Sequence, residues 1–271
     1  MSHGAAALLV AVAVAAGTLL FSNVAGAATQ VGLGTADSFA VLAGAGVTNT
    51  GSSVISGNLG TCPTPAVTGF PPGIVQNGTI HANDALACSA QSDLVTAYNN
   101  AAGQAANTSY GGPTNLGGMA LVGGVYRSAS SFSITGTLTL DAQGDSDAVW
   151  IFQASTTLIT AVNSNVSLIN GAQACNVFWQ VGSSATLGVG STLVGSVLAL
   201  TSITANTNAT VRGRLLARNG ATTLDTNRVS RPGCSAPTTT TTTGATTSST
   251  SSTSSTIPPG STSSTSGPSL K

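Results

Sequence analysis

The chain has 271 residues, with seven basic against seven acidic side chains, 5% charged and 4% aromatic residues. Globular domains carry about 25% charged residues, so Thr, Ser, Asn, Gln and Gly must clothe this surface. Glu is absent, and five of the seven basic residues lie between Arg212 and Arg231. That balance gives no electrostatic footprint for nucleic acid. Only His3 and His81 are available, which nearly excludes a Ser-His-Asp or multi-histidine metal site. The composition points to a hydroxyl-rich structural or binding protein, with no enzymatic activity, no cofactor and no metal expected.

Ala5 to Phe21 form a small apolar run that ends in Ala25-Gly26-Ala27. This reads as a secretory signal peptide over residues 1–27, cleaved before Ala28. Its first residues lack Lys and Arg, and the run is about long enough to span a bilayer. A membrane anchor is therefore the competing reading. The small-residue site favours cleavage, so a secreted chain with no membrane insertion after processing is expected.

Further along, Leu86, Ala90, Leu94, Ala97, Tyr98 and Ala101 recur every three or four residues between Asn83 and Gly103. That spacing predicts one helix with a single apolar stripe. Asn83 or Asp84 can cap it and Gly103 is placed to end it.

From Val125 onward, short β-branched runs recur in threes. The first set contains Val149–Gln153, Val177–Val181, Val197–Leu200 and Leu215–Arg218. The second contains Ser133–Thr137, Leu158–Val162, Ala185–Val189 and Ser202–Asn206. The third contains Thr137–Leu140, Asn165–Ile169, Ser191–Val194 and Ala209–Arg212. Three short strands per turn predict a mainly β fold, a parallel β-solenoid of triangular section with the helix along one face. Alternation then puts Ile134, Ile159 and Ile203 inward, and Thr135, Thr160 and Thr204 outward.

After Cys234 the composition changes to Thr and Ser runs, so residues 235–271 are expected to be a disordered tail. One folded domain is left at residues 28–234. Cys62, Cys88, Cys175 and Cys234 lie within it, none in a C-x-x-C pair, and an exported protein favours disulfides. Of the three pairings, Cys62–Cys88 and Cys175–Cys234 close the shorter loops.

The domain closely resembles the microbial ice-binding (antifreeze) proteins. The resemblance rests on Leu33-Gly34-Thr35-Ala36-Asp37-Ser38-Phe39-Ala40-Val41-Leu42, on Val67-Thr68-Gly69-Phe70-Pro71-Pro72-Gly73 and on Asp93-Leu94-Val95-Thr96-Ala97-Tyr98-Asn99. It continues through Asn176-Val177-Phe178-Trp179-Gln180-Val181-Gly182 and Leu216-Ala217-Arg218-Asn219-Gly220. It implies a discontinuous right-handed β-solenoid with a flanking helix, acting as a secreted monomer whose partner is an ice surface. It also implies a flat β-face as the site, which in some members bears a T-A/G-x-T/N motif.

Thr160-Ala161-Val162-Asn163 and Thr204-Ala205-Asn206-Thr207 match that motif. Thr135-Gly136-Thr137-Leu138 is a near miss, and Leu187-Gly188-Val189-Gly190 lacks Thr, interrupting the rank. The candidate ice-binding residues are therefore Thr135, Thr137, Thr160 to Asn163, Leu187, Val189 and Thr204 to Thr207. The alternative is a cell-surface adhesion or polysaccharide-binding module displayed on the Ser/Thr-rich stalk. The cluster Asp141, Asp145 and Asp147 reads as a turn between coils, and His81 with Asp84 as the approach to the helix.

Overall fold

Small polar residues and glycines break the apolar runs into short strands, and three runs complete one coil of the chain. In the computed structural model, described over residues 27–234, one such coil is Trp150–Ala154, Leu158–Thr160 and Asn165–Ile169. Each strand pairs in parallel with its counterpart in the next coil: Trp150 with Val177, Leu158 with Ala185, Asn165 with Thr192. The result is the expected parallel β-solenoid with three faces. The expected leader, apart from Ala27, and the expected tail lie outside the described residues.

Two longer strands, Thr192–Ala199 and Thr210–Ala217, turn from the third face to the first without interruption. Glycine makes that possible. A Cβ on Gly195, at φ +104°, would meet the Val177 carbonyl oxygen at 2.5 Å. One on Gly213 would lie 1.8 Å from the Gly195 carbonyl oxygen, so no side chain fits at either bend.

Stacking order is not chain order. Along the second face the strands run Val67–Thr68, Gly46–Thr50, Ala221–Asp225, Ile203–Ala205, Ala185–Leu187, Leu158–Thr160, Phe132–Ile134 and Thr114–Asn115. The C-terminal coil thus docks on the N-terminal coil, with Val41 against Leu215, Thr48 against Thr223 and Val54 against Arg228. Buried Arg214 reinforces the junction. Its Nη2 reaches Asp37 Oδ1 at 2.5 Å and its Nε donates to the Asp37 carbonyl at 3.1 Å.

Helix α1 (Ala85–Gly103) covers the first face. Asp84 caps it, accepting from Ala87 N–H at 2.9 Å. Ala87, Ala90, Leu94, Ala97, Tyr98 and Ala101 are buried against Val125, Ile151, Phe178, Leu198 and Leu216. Leu86, placed on the stripe by spacing, is instead 39% exposed, and Ala87, three residues before Ala90, takes its place on the buried face. Asp93 accepts from the backbone N–H and hydroxyl of Thr35 at 2.7 and 2.6 Å. These bonds hold its carboxyl below the usual carboxylate range and lash the helix to the opening segment.

Inside the solenoid, Tyr126, Phe152 and Trp179 stack in one column, the last two with centroids 4.1 Å apart. The column continues as Val197, Leu215 and Val41. The interior therefore narrows along the stack. Correspondingly, the connections 142–149 and 170–176 give way to the glycine bends at Gly195 and Gly213.

The disulfides are Cys62–Cys88 and Cys175–Cys234, as the shorter-loop pairing expects. Replacing both Cys175 and Cys234 by Ser should lower stability by about 2–5 kcal/mol in denaturant melts. Thr222 has a fully buried hydroxyl with no hydrogen-bond partner. Val has the same shape without the unmet polar group, so Thr222→Val should raise stability by about 1 kcal/mol in the same measurement.

Candidate functional site

The three faces differ in what covers them. The first lies under α1. The third displays Arg212 and Arg228 among Thr192, Thr210 and Ser230. The second is uncovered, and its only charged side chain is Asp225, whose carboxylate accepts from the hydroxyls of Thr207 and Thr226.

Parallel pairing aligns the outward residues of that second face into one rank: Thr68, Thr48, Thr223, Thr204, Thr186, Ile159, Ser133 and Asn115. Five consecutive strands place Thr at this position. None of these pairings carries a register shift, so the rank is straight. Ser131, Thr157, Ser184 and Ser202 flank it on one side, with Thr135, Ala161, Gly188, Asn206 and Thr50 on the other. Strand geometry spaces these side chains by about 4.8 Å across the strands and about 6.6 Å along them. A two-dimensional grid of methyl and hydroxyl groups results, with Ile159, 48% exposed, as its large apolar member.

Several expected site residues sit elsewhere. Thr160 points inward and is 4% exposed. Its hydroxyl donates to Ser191 Oγ at 3.0 Å and accepts from Gly188 N–H at 2.8 Å. Ile159, expected inward, is the outward residue of that strand. The cause is register: Thr160 shares its column with Ile134, Leu187 and Ala205, whereas Thr204 shares one with Thr186 and Ile159. A slip of one residue exchanges the two faces of a strand. The two motif copies therefore do not align with each other.

Leu187 and Ala205 are likewise buried in the interior. The strand of Leu187 presents Thr186 outward, so the rank of hydroxyls is not broken there. Thr137 begins a strand of the third face, paired with Asn165. Val162, Asn163, Val189 and Thr207 occupy the corner between the second and third faces. Thr135, Ala161 and Asn206 lie on the flank of the second face, and Thr204 stands in its central rank.

Spacing alone missed Thr48, Thr68, Thr186 and Thr223. For Thr186 a usable signal was present. Small polar pairs, Ser130-Ser131, Thr156-Thr157, Ser183-Ser184 and Thr201-Ser202, precede the four second-face strands that begin at Phe132, Leu158, Ala185 and Ile203 and mark the same corner. Aligning on them gives the observed register.

A sequence model described as Ice-binding-like matches residues 41–230. The chain is 50% identical over 218 residues to an ice-binding protein of Nostoc sp. (strain HG1), covering 80% of each chain. It is 36% identical over 230 residues to one of Colwellia sp., covering 80% of this chain and 90% of that one. The crystal structure of an ice-binding protein from the Antarctic ascomycete Antarctomyces psychrotrophicus superimposes with a TM-score of 0.73 at 46% identity. That match covers 76% of this chain and 100% of the other.

The inward Thr160 and outward Ile159 give opposite expectations on substitution. Thr160→Val strands the Gly188 N–H and the Ser191 hydroxyl in a buried site and should cost about 1–3 kcal/mol. Ile159→Thr alters an outward position and should change stability by no more than about 0.5 kcal/mol. Paired chemical melts of the two variants check both.

Proposed function

The chain belongs to the Ice-binding-like family, and from that premise we propose that it adsorbs to ice through its second face. The observation that carries this reading is the unbroken rank Thr68, Thr48, Thr223, Thr204 and Thr186, with no charge on the central line. Ice growth and recrystallisation slow when a bound protein pins the crystal surface. No bond to substrate is made or broken, so the function is adsorption rather than turnover.

The chemistry follows from the side chains. Each Thr offers one hydroxyl that donates and accepts, beside a methyl group that does neither. Water held between such groups is restrained on both sides, by hydrogen bonds and by apolar walls. A rigid parallel ladder sets the positions in advance, so adsorption avoids the ordering cost that a flexible surface would incur. A charged side chain there would hold its own hydration shell and disturb the layer. The lone carboxylate at the margin, Asp225, is already engaged by two hydroxyls.

In this reading the working residues are the five threonines with Ile159, Ser184, Ser202 and Asn206. Residues 1–27 are a cleaved signal, and the protein acts outside the cell as a monomer without cofactor. The tail 235–271 serves as a linker or stalk.

Thr204→Tyr and Thr223→Tyr each raise a ring above the central rank. Stability should stay within about 0.5 kcal/mol of the parent, since both positions point outward. The concentration needed to inhibit ice recrystallisation should rise at least about tenfold, or about 1.4 kcal/mol of adsorption. Thr192→Tyr and Thr210→Tyr, on the third face, should retain activity. Equal losses from both faces would defeat the assignment.

A further inference from the structure

The third face has chemistry that ice adsorption does not use. Arg212 and Arg228 lie on adjacent paired strands, Arg212 opposite Ser230 and Arg228 opposite Thr210. Strand spacings put their Cα atoms about 8 Å apart. Both are exposed, and neither side chain has an ion pair or hydrogen bond among the described residues. In a chain with so few charges, two unpaired guanidinium groups on one flat face call for a partner.

A cleft of about 370 Å³ adjoins them. Arg212, Ser230, Arg231 and Gln173 supply its polar wall, and Leu168 and Ala172 an apolar one. Arg231 is anchored, its Nη1 donating to the Asp37 carbonyl at 2.9 Å, while Arg212 is free to meet a ligand. The volume lies at the small end of ligand pockets. Neither Asp225, whose carboxylate accepts from the hydroxyls of Thr207 and Thr226, nor Asp37, which is shared between Arg214 and Arg231, forms an ion pair with Arg212 or Arg228.

We propose that this cleft and the Arg212–Arg228 pair bind an acidic polysaccharide, one sugar ring in the cleft and its neighbour over Arg228. Guanidinium groups recognise carboxylate or sulfate through paired N–H donors. Ser230 suits a ring hydroxyl, and Leu168 and Ala172 suit the C–H face of a sugar. Single-stranded nucleic acid fits less well, because the cleft has no aromatic side chain on which a base could stack. The site is on a different face from the threonine rank, so a glycan matrix and a crystal could be held at once.

The test is co-sedimentation of the whole processed chain with polygalacturonate, against neutral dextran and single-stranded DNA. Retention on polygalacturonate alone is expected, weakening when salt rises above about 0.15 M. Arg212→Gln with Arg228→Gln should weaken it at least about tenfold while leaving inhibition of ice recrystallisation unchanged. Should that variant melt early, Ser230→Asp, which keeps both arginines and adds a repelling carboxylate, must give the same loss. Absence of binding, equal retention on dextran, preference for DNA or indifference to the substitutions would each overturn the proposal. Because ice inhibition is read separately, failure of the glycan site and failure of the ice face cannot be confused.

Discussion

The backbone ladder between the first and last coils is the constraint on which the rest depends. Thr48 and Thr223 face one another only because residues 46–50 pair in strict register with residues 221–225. Without that pairing the hydroxyl rank would split, Thr48 and Thr68 on one piece and Thr186, Thr204 and Thr223 on the other. The same contact supplies the first coil with its neighbour, covering backbone donors that would otherwise form an open sheet edge. Arg214 is buried at this junction, where burial lowers its pKa and Asp37 opposes the shift. Removing the carboxylate would leave a buried cation, which is far costlier than losing an exposed pair. The junction is therefore held by backbone pairing, an ion pair and the apolar contact of Val41 with Leu215.

Flatness of the hydroxyl face is set from behind. Outward residues hold a grid only while the inward ones keep each coil at the same height. The inward columns behind the threonines are mostly apolar: Leu158, Ala185 and Ile203 in one, Ile134, Leu187 and Ala205 in the other. Thr160 is the polar exception in its part of the column, and it ties its own coil to the next through Gly188 and Ser191. Asn49 does the same near the other end, its Nδ2 bonding the Gly51 and Gly69 carbonyls at 2.9 and 2.8 Å. Buried polar groups with partners fix local geometry more narrowly than apolar contacts of the same size.

The helix was legible because one segment carries its period by itself, the fold class because apolar runs recur in threes, and the disulfide pairing because it closes the shorter loops. Leu94, Ala97, Tyr98 and Ala101 define a stripe without reference to any other part of the chain. The site was less legible. In Leu158-Ile159-Thr160 two adjacent apolar residues leave alternation undecided, and a Thr-Ala motif pulled the reading one residue out of step. In the strand Ala185–Leu187 the motif position holds buried Leu187, and the outward Thr186 lies one residue before it. Thr48 and Thr68 were invisible for another reason: their coils are contiguous with the rest only in space. No local pattern says that a coil near residue 48 adds to one near residue 223.

Placement of charge distinguishes the second face from the third. Five basic residues crowd between Arg212 and Arg231, and the fold keeps all of them off the second face. Arg214 goes to the buried junction, and Arg218 lies over the Tyr98 ring at 4.9 Å beneath the helix side. Arg231 is held by Asp37 at the corner farthest from the second face. Arg212 and Arg228 emerge on the third face. The strand between them in sequence, Ala221–Asp225, crosses the second face with Thr223 outward and no cation. Alternation and coil length thus sort the charges: a shift of one residue in Thr210–Ala217 would bury Arg212 and expose Val211, at a cost that fixes the register. In the observed register Arg212 stands opposite Val194 and Ser230, while Val211 stays inward between Leu193 and Val229, so the charge emerges on the third face and stays off the second.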